Sequence, residues 1–220
     1  AFTGNKFEFR MVGSSDSIAP PNVVLNTIVA EAFKEAADEL EKAEDFPSAV
    51  HDMIKRLLSE HKRIIFNGNG YSDAWVEEAE KRGLPNIRSM VDAIPSLTTE
   101  KAVKLYETFG VFTKAELESR AEVEYEAYAK AINIEARTMI DMAGKQIIPA
   151  VIKYTTQLAA SLNAVKAACP EADVSVQSEL LVETSDLLSD MKVALAALEE
   201  LAAKSASIEE ARACAHAYHD

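Results

Sequence analysis

The chain has 220 residues, 36 of them Asp or Glu against 23 Lys or Arg, which leaves a net charge of −13. This length buries roughly 70% of the unfolded surface, enough for a core without disulfide or metal staples, while the charge repels phosphate backbones and anionic bilayers. Neither nucleic acid nor a membrane is therefore expected as a partner. Two cysteines, Cys169 and Cys214, are too few and too far apart for a disulfide framework or a zinc knuckle, as in a protein of the reducing cytoplasm. The longest apolar runs, 147–152 and 193–198, fall far short of the roughly 20 residues of a bilayer span. The chain opens on Ala1, without an initiator Met, and reads as a fragment of a longer protein.

Residues 1–17 carry a strand pattern. Phe7, Phe9 and Met11 alternate with Lys6, Glu8 and Arg10, the period of a strand with one apolar face, until Gly13, Ser14, Ser15 and Asp16 break it. Next, Pro20 and Pro21 open a helix in which Val24, Leu25, Ile28, Val29, Ala32, Phe33, Ala36 and Leu40 recur at helical spacing to about Ala43. Pro47 opens a second helix through Leu58. Arg63-Ile64-Ile65-Phe66 reads as a short strand, Asn67-Gly68-Asn69-Gly70 as a turn, and Ser72 with Asp73 as the cap of a helix that runs to Gly83. A shorter helix is expected from about Thr98 to Phe109.

Thr113 and Glu116 form a capping-box pattern at the head of the longest regular segment. Leu117, Ala121, Tyr125, Tyr128, Ile132, Ala136, Met139, Ala143, Ile147, Ala150, Tyr154 and Leu158 step along it by 4, 4 and 3, an eleven-residue period close to that of a straight helix. A second stripe, Ile134, Ile140, Ile148 and Val151, predicts burial on two sides, and Pro149 predicts a kink. Pro170 ends this segment. A further helix from about Ser175 to Lys204, with Leu180, Leu187, Ala194 and Leu201 recurring every seven residues, is expected to pack antiparallel to it. Ser207 and Glu210 form a second capping-box pattern. The expected fold is mostly α, with a short β remnant at the N-terminus, several short helices and an antiparallel bundle with two long helices. Its expected divisions are 1–17, 18–112 and 113–220.

Period 2 puts Lys6, Glu8 and Arg10 on one strand face. The row is either a solvated outer face with cross-strand ion pairs, or a site in which Glu8 ligates a metal and the Arg10 fork holds an anion. Weaker features are the Asn67–Gly70 turn ahead of a helix, His216 and His219 three apart, the isolated His51 and His61, and Asn133, Glu135, Arg137 and Asp141 within the two-sided helix. Each has a structural reading as well. The last group reads as an internal polar network or a subunit contact, and Tyr125, Tyr128 and Tyr154 read as core.

The segment from Phe2 to Ser15, followed by Asn22-Val23-Val24-Leu25-Asn26-Thr27, resembles the end of the catalytic domain of type III glutamine synthetases. So do residues 61–72, Gly110-Val111-Phe112-Thr113, Ile132-Asn133-Ile134-Glu135-Ala136 and 139–143. The resemblance covers roughly the first 155 residues by recognisable motif, and the remainder only as acidic helical sequence. It implies a parent enzyme that uses ATP and Mg2+ or Mn2+ to ligate ammonia to glutamate through a γ-glutamyl phosphate. Glu8 is then a metal ligand, Arg10 a contact to glutamate or its phosphorylated form, and Lys6 a basic residue near the nucleotide. It further implies a ring-shaped homo-oligomer, and a fragment that is inactive alone because the other metal ligands lie upstream. The alternative is a non-enzymatic helical module for interaction or regulator docking.

Overall fold

In a computed structural model, residues 17–220 are described; the expected strand and its row of Lys6, Glu8 and Arg10 lie outside them. The described residues are mostly helical and contain no strand. They divide into two compact units. One takes in the residues up to Asn86 together with Thr99–Lys114, the other Ile87–Thr98 together with Ala115–Asp220.

In the first unit, α1 (Ala19–Leu40) carries Pro in its first turn, where a missing N–H costs nothing. It packs on α2 (Phe46–Glu60) and, by sequence far away, on α5 (Glu100–Thr108). The α1–α2 pairing is tied by Arg56, which donates to Glu39 at 2.5 Å and to Glu60 at 3.2 Å. The side chain of Asp45 accepts the Ser48 N–H at the head of α2, and Thr99 does the same for Ala102 at the head of α5.

The expected strand at Arg63–Phe66 is instead a 3-10 turn, Lys62–Ile64, leading into extended chain. Its carbonyls find a side chain rather than a neighbouring strand. Arg82, just past α3 (Asp73–Lys81), donates to the carbonyls of Ile65 at 2.9 Å and Arg63 at 3.3 Å, while its Nε pairs with Glu78 at 2.6 Å. The same guanidinium lies 5.6 Å from the Trp75 ring, which stacks on Phe66 at 4.0 Å. Arg82 thus supplies the donors that a ladder would have supplied. α3 ends as the sequence predicts, at Gly83, and α5 ends in the same way at Gly110, both glycines at positive φ. Gly83 (φ 69) and Gly110 (φ 62) allow Leu84 N–H to reach the Ala79 carbonyl and Val111 N–H the Tyr106 carbonyl.

The second unit holds the better-formed core. Here α4 (Met90–Ala93) and the 3-10 turn Ile94–Thr98 bring Val91 and Ile94 against Ala121, Tyr125 and Ala129 of α6 (Lys114–Met142) and Ala215 of α9 (Ala211–His219). The three alanines let the helices approach closely, and Tyr128, Cys214 and Tyr218 pack around the rim. Downstream, α7 (Ile148–Ala168) and α8 (Ser175–Ala206) form a long pair across a short connection, as expected for antiparallel helices.

Three expectations for this unit are corrected. The segment after Thr113 is not one straight helix kinked at Pro149. A π segment, Ala143–Ile147, separates α6 from α7, and the Ile148 N–H reaches five residues back to the Ala143 carbonyl. Proline lacks the donor and crowds the carbonyl four residues before it, and one wide turn absorbs the conflict within the helix. Second, Ser207 does not cap α9. It closes α8, its hydroxyl donating to the Lys204 carbonyl at 2.7 Å, and the Glu210 carboxylate accepts the N–H groups of Arg212 and Ala213. A carboxylate can cap directly, which moves the helix start three residues along. Third, α6 is not covered on two sides by the described residues: Ile134 is 65% exposed, Met139 61% and Tyr154 of the following helix 43%.

Candidate functional site

The features that the sequence marks outside residues 1–16 are engaged with neighbouring groups of the chain itself or are exposed. In the Asn67–Gly70 segment, the Asn69 side-chain oxygen accepts the Tyr71 N–H at 3.1 Å, and the Asn69 carbonyl accepts the Ser72 hydroxyl at 2.8 Å. This is a self-contained turn that presents α3. The polar groups of Asn69 are turned back on their own backbone. His216 lies 6.4 Å from the Tyr125 ring, and His219 Nδ1 lies 3.2 Å from Asp220. His51 and His61 are exposed. Among the described residues, no group of three His, Cys, Asp or Glu side chains is placed to hold a metal ion.

The polar residues of α6 form a ladder along the outer face rather than an internal network. Arg137 donates to Asn133 at 2.9 Å, Asp141 pairs with Lys145, and Glu135 is exposed. Such i,i+4 partners stabilise the helix they sit on by a few tenths of a kcal/mol each.

One cleft, of about 270 Å3, runs between α6 and the α8–α9 corner, lined by Lys130, Asn133, Ile208, Cys214 and Tyr218 among others. Its groups are occupied. Lys130 pairs with Glu126 at 2.6 Å, Tyr218 donates to the Ala202 carbonyl at 3.2 Å, and the Cys214 thiol donates to the Ser205 carbonyl at 3.4 Å. Burial first, and the Glu210 charge second, push the thiol above its ordinary value, so it stays protonated and is a poor nucleophile. Chemically this is a packing seam.

A second cleft, of about 410 Å3, lies between α1 and α5 and is lined by Glu31, Glu35, Lys101 and Lys104 with Ile28 and Leu105. Sequence reasoning missed it. Its acidic pair at i,i+4 and basic pair at i,i+3 each look like an ordinary solvated helix face, and only the packing of α5 on α1 brings them together.

The relation to known proteins decides what these elements belong to. Residues 49–166, more than half of the chain, match the family model of the glutamine synthetase C-terminal domain. The chain belongs to that family. Among its relatives, the glutamine-synthetase C-terminal chain is 41% identical to the type-3 glutamine synthetase of Dictyostelium discoideum over 168 residues, which is 75% of this chain and 23% of that protein. It is 34% identical to the glutamine synthetase of Butyrivibrio fibrisolvens across 99% of this chain and 31% of that protein. With the enzyme of Bacteroides fragilis it shares 33% identity over 88% of its length and 28% of the relative's. The chain thus spans about a quarter to a third of the curated relatives it matches. The Butyrivibrio alignment leaves almost none of this chain out, so positions 6, 8 and 10 fall within it.

Proposed function

We propose that this chain is the carboxy-terminal portion of a type III glutamine synthetase, whose parent joins ammonia to glutamate at the expense of ATP. The observation that carries the reading is the 41% identity to a type-3 enzyme over three-quarters of the chain. In this reading Glu8 supplies one carboxylate to a divalent-cation site, Arg10 holds the carboxylate or phosphate of the substrate as a planar bidentate fork, and Lys6 lies near the nucleotide. The alternation of Lys6, Glu8 and Arg10 with Phe7, Phe9 and Met11 supports it, since it anchors the strand by one face and aims the charged row by the other.

A cation needs several oxygen or nitrogen ligands, and Glu8 is one. In this reading the remaining ligands belong to the part of the parent that this chain does not span, and the chain alone is inactive. What a bound cation supplies is compensation of phosphate charge. What this chain would supply is the Glu8 carboxylate and the Arg10 guanidinium.

The helical part serves assembly of a cytoplasmic homo-oligomer. Ile134, Met139, Val182, Leu187 and Val193 of α6 and α8 each leave more than half of their surface to solvent, apolar area that a second copy would cover, which supports this reading. The test is to recover the full-length gene product and assay ATP-dependent glutamine formation beside the 220-residue chain. Turnover by the parent and none by the chain is expected. A parent that folds and binds ATP but forms no glutamine would leave the alternative, a helical docking module.

A further inference from the structure

We propose that the cleft between α1 and α5 binds a small zwitterion, an α-amino acid with an apolar side chain. The cleft is about 410 Å3, room for a molecule of that class with its first waters. Glu31 and Glu35 stand one turn apart on α1, and Lys101 and Lys104 stand one turn apart on α5. Groups of opposite sign on packed helices ordinarily close into ion pairs. Here, among the described residues, none of the four does so, although Arg56 crosses from α2 to Glu39 of α1 in the same unit. Lys34, the cation nearest in sequence to Glu31, is engaged with Asp38 at 2.7 Å.

Glu31 adds a second, independent mark. Its Oε2 is shut off from solvent and accepts no hydrogen bond in the structure. A carboxylate oxygen that has lost its water and has no donor is unfavourable, and a charged donor removes that cost. An ammonium placed at Glu31 and Glu35 supplies the donor, and the carboxylate of the same molecule then faces the ammonium groups of Lys101 and Lys104. Ile28, Ala32 and Leu105 line the remaining wall, which selects an apolar rather than a charged side chain. The Thr108 hydroxyl donates to its own helix at the Lys104 carbonyl, 2.7 Å away, and does not compete for the ligand.

The inference does not depend on the ligase reading, because it concerns binding by this chain alone. Isothermal titration of the 220-residue chain with L-leucine tests it, beside 4-methylpentanoate, which lacks the ammonium, and isoamylamine, which lacks the carboxylate. Saturable binding of L-leucine is expected, with each analogue at least about tenfold weaker. The Lys101→Ala/Lys104→Ala double variant and Glu31→Gln should each lose about tenfold, and Lys104→Arg should keep its affinity. Unchanged helical circular dichroism verifies that the variants fold, and the analogue comparison on the unaltered chain decides the matter if one does not. No saturable heat with L-leucine, equal binding of either analogue, or full affinity in the folded double-lysine variant would overturn the proposal.

Discussion

Replacing Ile94 by alanine tests whether the small core of the second unit holds it together. Ile94 is 2% exposed and touches a cluster that includes Val91, Tyr125, Ala121, Ala129 and Ala215. The substitution removes three carbons, a transfer loss of about 2.4 kcal/mol at ~0.8 kcal/mol per buried carbon. Three of the five surrounding cluster residues are alanine, already as small as a side chain with a Cβ can be, so these neighbours have no reach with which to fill the hole. The cavity cost therefore adds nearly in full, and the total should come to about 3–4 kcal/mol. For a unit of this size such a loss lowers the melting temperature by roughly 10 °C. Thermal unfolding followed by circular dichroism at 222 nm reads it, with Ile134→Ala as the control. Ile134 is 65% exposed and its truncation should cost within about 0.5 kcal/mol. Equal shifts for the two variants would refute the packing argument, since they would mean that Ile94 sits in no closer a contact than a solvent-facing isoleucine.

Further predictions follow from single positions. Gly144 lies inside the π segment with open space where a methyl group would sit, so Gly144→Ala should raise stability by about 0.5–1 kcal/mol through the unfolded chain; a fall in melting temperature would show that the wide turn needs glycine. Gly83 sits at φ 69, and Gly83→Ala should cost about 1 kcal/mol in a urea titration, whereas a neutral result would contradict the left-handed cap. The Asp173 carboxyl is held below its ordinary value of 3.8, chiefly by the Ser175 backbone N–H and then by the Ser175 hydroxyl. Because its folded value is depressed, its contribution to α8 is present above the unfolded value and lost as pH falls through the folded one. An NMR titration should place its midpoint under 3.8, and a midpoint at or above 3.8 would remove this role.

Much of the helical layout was legible because local signals agreed. Pro20 and Pro21, Pro47 and Gly83 each mark a terminus through a backbone requirement that does not depend on the rest of the molecule. The sequence erred where a distant side chain intervened. At Arg63–Phe66 the β-branched pair argued for a strand, but Arg82, well along the chain, takes up the carbonyls. At Ser207 the capping-box spacing was present, and the adjacent carboxylate of Glu210 won because it reaches two N–H groups at once. The second apolar stripe of α6 was read as buried within the chain, yet Ile134 faces solvent; periodicity reports a face that is apolar and is silent about what covers it. The α1–α5 cleft was illegible for the complementary reason, since its charges gain meaning only when two helices far apart in sequence are packed.

The central claim is that residues 6–10 of this chain carry part of a ligase active site, and Glu8→Ala in the full-length enzyme tests it most directly. Steady-state glutamine formation should be measured against magnesium concentration, with circular dichroism and assembly size as checks on folding. The account predicts turnover lowered by at least about a hundredfold at limiting magnesium, the scale of losing a group that stabilises developing charge, with helical content and assembly unchanged. A correctly assembled Glu8→Ala enzyme with normal turnover and normal magnesium dependence would contradict it.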